Sequence, residues 1–217
     1  MEETIRNIAV YALPVLFAIT LHEAAQAYAA KYFGDNTAYS QGRMTLNPLV
    51  HVDLLGTIII PIVLVLTTGF VFGYAKPVPL DFGRMRNPKR DMAWVALAGT
   101  GANFVMAVMW LVFGAFLVFF GIDEEFPHRV AKAGVIANLL FMAFTLLPIP
   151  PFNGGRIVIS LLPHSLAYKF ARIEPYGFFI VLALVLLKVI SFWVIPVVTV
   201  GEALVRLVAF PFTFFLL

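Results

Sequence analysis

Residues 19–34 read ITLHEAAQAYAAKYFG, a run with helical spacing that sets a histidine and a glutamate side by side among apolar neighbours. The approach to it, Leu13 to Leu21, is plainly apolar. An ionised group at the centre of a membrane helix costs about 2.5–3.5 kcal/mol on insertion scales, so such a residue normally faces a cavity or a partner. His22 and Gln26 stand four positions apart and share one helical face, while Glu23 points about a quarter-turn aside.

The rest of the chain makes a membrane helix the right reading of that run. Apolar residues are 61% of the 217 positions and charged ones 12%, against roughly one quarter charged in an ordinary soluble domain. The composition predicts an all-α integral membrane protein. A crossing takes about 20 apolar residues of helix, and five stretches reach that length: Ile5 to Phe33, Leu54 to Tyr74, Met92 to Phe120, Val130 to Leu162 with a break inside it, and Tyr176 to Leu217 with a break near Pro196. Five or six transmembrane helices are expected, in one membrane-embedded domain spanning 1–217. The first charges are Glu2 and Glu3 with Arg6 as the only early cation, which argues against a cleaved secretory leader.

There is no cysteine, so any metal must rest on nitrogen and oxygen ligands. The net charge of +3 comes from short loops, and no basic patch with interleaved aromatics supports nucleic-acid binding. The linker KPVPLDFGRMRNPKRD holds five of the fifteen cations and is expected on the cytoplasmic side by the positive-inside tendency. The acidic loop GIDEEFPHR belongs across the membrane, and counting back places the amino terminus inside, whereas a re-entrant AYSQGRMTLNP segment would flip that count. The alternation of Tyr39, Gln41, Arg43 and Thr45 suggests a short re-entrant or hairpin segment, and such backbone at membrane depth needs protein or a water-filled cavity around it.

Two further segments carry polar groups inside apolar surroundings. In FTLLPIPPFNGGRIV a helix is broken over Pro148 to Gly155, where Pro148, Pro150 and Pro151 cannot continue it and Gly154 and Gly155 admit a close neighbour. In ALAGTGANF, residues 96–104, small side chains favour tight helix packing and Asn103 offers an interhelical hydrogen bond. Unwound backbone at membrane depth usually lines a site, with a simple proline kink between two half-helices as the alternative for the first segment; read alone, the second is packing glue. A transporter also uses broken helices, but no paired repeat is present.

Taken in order, LHEAAQAYAAKYFGDNTA, GRMTLNPLVHVDLLGTIIIP, GYAKPVPLDF, ALAGTGANF and LLPIPPFNGGRIV resemble the site-2 protease family of intramembrane zinc metalloproteases, especially its short bacterial members. The resemblance runs from about Leu21 to Val158. It implies cleavage of a transmembrane helix of a substrate membrane protein within the lipid bilayer, in a multi-pass protein of the bacterial inner membrane. The zinc would be held by two histidines of a helix and an aspartate of the proline-glycine segment. Carried over, His22 is the first metal position, Gln26 stands at the second and Asn153 at the third, with Glu23 as the catalytic base and Asn103 as a steadying polar group. Thr100 and Thr145 stand where the family has proline and asparagine, and Asn138 where another polar residue is common.

Gln26 and Asn153 thus replace a histidine and an aspartate at metal positions. A catalytic zinc wants three good protein ligands and an open position for water. Two neutral amides in their place predict weak or absent zinc. Two functions stay open on the sequence: a zinc-dependent endopeptidase, or a pseudoprotease, natural or engineered by the near-isosteric changes of histidine to glutamine and aspartate to asparagine, that binds transmembrane helices without cutting them. His51, or Glu23 itself, is the available substitute ligand.

Overall fold

The fold is taken from a computed structural model that describes residues 2–53, 59 and 76–216. Among these residues the chain is helical and contains no strand. The helices are α1 (Glu2–Phe33), α2 (Thr37–Ser40), α3 (Pro88–Phe119), α4 (Glu125–Thr145), α5 (Asn153–Leu161), α6 (His164–Ala171), α7 (Gly177–Leu186) and α8 (Ser191–Leu216), with single 3-10 turns at Pro48–Val50, Phe82–Arg84 and Glu174–Tyr176. Three of them, over Arg6–Phe33, Pro88–Phe119 and Ser191–Phe214, are long and apolar enough to cross a membrane. The expected span from Leu54 to Tyr74 lies outside the described residues.

Helix α3 is the central post, packed against α1 and α4 and touching α5 and α8. Its buried face repeats every three or four residues through Ala96, Gly99, Thr100, Asn103 and Ala107, the spacing of one side of a helix. Opposite it, α1 buries Ala18, His22, Gln26 and Ala30, a stripe at strict four-residue intervals. Small side chains on both stripes let the backbones approach, so the few polar groups on them are pressed together. Large aliphatic and aromatic residues such as Phe192, Leu207 and Phe214 point outward, as a lipid-facing surface requires.

Three expectations are corrected. Residues 39–45 form no extended hairpin: Thr37–Ser40 is a helical turn, followed by bends. Asp35 causes this, since its carboxylate accepts from the Thr37 backbone N–H at 2.9 Å and from the Thr37 hydroxyl at 2.5 Å. Its other oxygen accepts from the Asp81 N–H at 2.7 Å. The second break falls at Leu187–Ile190, where Lys188 has φ +59, while Pro196 lies inside α8.

The amino terminus, expected on the side of the basic linker, lies at the opposite end of the bundle. Arg6 pairs with Glu125 at 2.5 Å and Asn7 accepts from Arg129 at 2.7 Å, so α1 begins beside the acidic loop. It ends at the basic linker, where the Arg86 N–H donates to the Phe33 carbonyl at 3.0 Å. His51 and Lys76 are also joined there by a backbone hydrogen bond of 3.0 Å.

Candidate functional site

The break between α4 and α5 is where the distant polar residues meet. The chain leaves α4 at Leu146, turns through Leu147–Phe152 with a cis bond between Pro150 and Pro151, and restarts at Asn153. Gly154 and Gly155 seat the new helix against the carbonyls of Leu146 and Ile149. That close approach carries Asn153 to the α1 face bearing His22 and Gln26.

One chain of hydrogen bonds fixes the protonation of His22. Asn138 donates to the Gly134 carbonyl at 2.9 Å, which leaves its side-chain oxygen to accept from Asn103 at 3.1 Å. The same Asn103 amide nitrogen donates to the Ala18 carbonyl at 3.0 Å. The Asn103 oxygen therefore faces His22 Nδ1 at 2.6 Å, and an amide oxygen can only accept, so Nδ1 carries the proton. Nε2 presents its lone pair to the pocket. There it accepts from the Gln26 amide at 2.6 Å and from the Asn153 amide at 3.1 Å. Gln26 and Asn153 also touch each other at 3.4 Å, and Phe141 closes one side with its ring centroid 5.0 Å from that of His22.

Glu23 stands beside this cluster and turns away from it. Its carboxylate accepts from the Val78 backbone N–H at 2.7 Å. Val78 belongs to an extended stretch of the basic linker, kept out of a helix by Pro77 and Pro79 and held by Arg43, which donates to the carbonyls of Lys76 at 2.8 Å and Pro77 at 3.3 Å. The half-buried Arg156, one turn into α5, bears electrostatically on both Glu23 and His22.

His22, Gln26, Asn103 and Asn153 thus converge and Glu23 adjoins them. His51 does not join: it is buried elsewhere, with its Nε2 on the Thr45 carbonyl at 3.0 Å. Sequence reasoning did not find Val78, which acts through its backbone, nor Gly99. A Cβ at Gly99 would lie 2.8 Å from His22 Nε2 and 2.7 Å from the Gln26 amide nitrogen, so that glycine shapes the pocket wall. The proline pair at 77 and 79 was the one visible signal for the extended stretch.

A histidine–glutamate pair on a membrane helix, faced by an asparagine of a neighbouring helix and a proline-broken segment, defines the class: the chain belongs to the site-2 protease family. It is 33% identical over 195 residues to "Putative zinc metalloprotease YwhC" of Bacillus subtilis, a match covering 88% of this chain and 86% of that one. It is 31% identical over 187 residues to "Putative zinc metalloprotease Rip2" of Mycolicibacterium smegmatis, covering 82% of this chain and 67% of that one. No family model matches the chain, and no solved structure matches it.

The names of these relatives specify zinc, and the donor chemistry here does not fit a catalytic zinc. The converging atoms are one imidazole nitrogen and two carboxamides. Turning either amide over would offer a carbonyl oxygen, but that oxygen is neutral and leaves the dication uncompensated where water does not screen it. Among the described residues no three His, Cys, Asp or Glu side chains come together.

The asparagine relay is expected to matter for stability as well as geometry. Asn103→Ala orphans His22 Nδ1–H and the oxygen of Asn138, both fully enclosed, and should cost about 1–3 kcal/mol. Thermal unfolding in detergent measures it; a midpoint unchanged from the parent would show that the relay carries no such weight.

Proposed function

We propose that this chain is a site-2-protease-like membrane protein that binds a transmembrane helix of another membrane protein and, with Gln26 and Asn153 in place, does not cut it. The observation that carries this reading is the filling of the His22 Nε2 lone pair by two amide donors, at 2.6 and 3.1 Å. That position would have to hold the metal in a hydrolytic member of the family. Here hydrogen bonds satisfy it.

The multi-pass architecture of five or six spans and a place in a bacterial inner membrane belong to the same proposal. An apolar cleft of about 530 Å³ between α3, α4 and α8 is lined by Leu97, Gly101, Phe104, Met142 and Val200. It lies along the α3 turns that carry Thr100 and Asn103, and would take apolar side chains of a helix arriving from the lipid.

Metal analysis separates the readings. The purified chain, dialysed against micromolar free zinc, is expected to hold less than about 0.1 zinc per molecule, because one imidazole with two neutral amides falls short of a three-ligand site. Near-stoichiometric zinc that disappears in His22→Ala would overturn the proposal and favour a working endopeptidase.

A further inference from the structure

At the basic end of the bundle, the start of α3 and the α5–α6 turn enclose an apolar slot of about 360 Å³, lined by Phe82, Lys89, Met92, Ile159, Ala167 and Tyr168. None of these residues belongs to the His22 cluster. Cations surround the slot. Arg156 lies over the Phe82 ring at 5.2 Å and Arg172 over the Tyr168 ring at 5.4 Å. Lys89 donates to the Leu162 carbonyl at the slot edge, and an ammonium has two further protons to offer.

Across residues 81–91 and 156–174 there are seven cations against three acids, and two of the acids are engaged. Asp81 pairs with Arg84 at 3.0 Å, and Asp91 accepts from the Asn87 N–H at 2.8 Å. Glu174, near Arg156, is the third. An apolar slot at a helix end with an uncompensated positive rim matches a molecule that is apolar along its length and anionic at its tip. A soluble anion would leave the lining wet, and a zwitterionic lipid would leave the rim charge unbalanced.

We propose that the slot seats an anionic phospholipid, with an acyl chain along Met92, Ile159 and Ala167 and the phosphate held by Lys89 and Arg172. Each cation near a membrane surface contributes enough to change occupancy about fivefold. Arg172 is exposed, so replacing it spares the packing.

Native mass spectrometry of the full chain tests this, with the protein released from micelles loaded with equal amounts of phosphatidylglycerol and phosphatidylcholine. One phosphatidylglycerol per chain is expected to stay bound in preference to phosphatidylcholine, and Arg172→Gln to lower that occupancy about fivefold. Ala167→Trp fills the slot while leaving every charge in place, and should remove the bound lipid. Ile159→Trp fills it from the facing wall and serves if the first variant does not fold. Equal retention of the two lipids, or an unchanged phosphatidylglycerol preference in a folded slot-filling variant, would overturn the proposal, the latter in favour of diffuse attraction to the surface.

Discussion

Changing Gln26→His together with Asn153→Asp is expected to raise zinc affinity by about a thousandfold or more, because it supplies a second imidazole and the missing anion at once. The framework for this is in place. His22 already carries its proton on Nδ1 and presents Nε2, through the relay from the Gly134 carbonyl by way of Asn138 and Asn103. Such an outer hydrogen bond orients a ligating histidine and is itself commonly worth 10- to 100-fold in affinity. Residues 26 and 153 already reach the same nitrogen. Each single change should recover only part of the effect, and adding His22→Ala to the pair should abolish it. Competition with a chromophoric chelator gives the affinity. A doubly changed protein that folds and still fails to hold zinc would contradict the convergence described for these three positions.

Gly154→Ala is expected to destabilise the protein by more than about 3 kcal/mol, toward the severe end of overpacking. A Cβ there would overlap the carbonyls of Leu146 and Leu147. These are backbone atoms, so no rotamer change relieves the clash; α5 itself would have to move outward. Its first residue, Asn153, would then leave His22. The signature is therefore double: a lowered unfolding midpoint in detergent and, in the Gln26→His/Asn153→Asp background, lost zinc binding. Gly101→Ala is the matched control, since nothing lies within 4 Å of a Cβ at that helix position. It should leave both readouts where they were. Equal behaviour of the two alanine variants would show that the tight seat of α5 does not hold Asn153 in place.

Other features weigh less. Glu202 and Arg206, four positions apart in α8, pair at 2.6 Å, but with side chains 47% and 73% exposed the pair contributes little to stability.

The sequence by itself determined that the chain is a helical membrane protein, that His22 and Gln26 share a face, that the chain breaks before Asn153, and which family it belongs to. The first three follow from composition, from the 3.6-residue period and from the inability of proline to continue a helix; the family follows from the resemblance of the ordered motifs to its members. All are local properties of the covalent chain. Tertiary structure alone decided that Asn153 reaches His22 across 131 positions, that two amides fill the Nε2 lone pair, and that Glu23 is engaged by the backbone of Val78. It also placed the amino terminus beside the acidic loop. Those facts depend on how closely helices approach and on which end of the bundle each one starts. Glycine seats, a backbone N–H and a pairing such as Arg6 with Glu125 leave no periodic trace in the residues that make them.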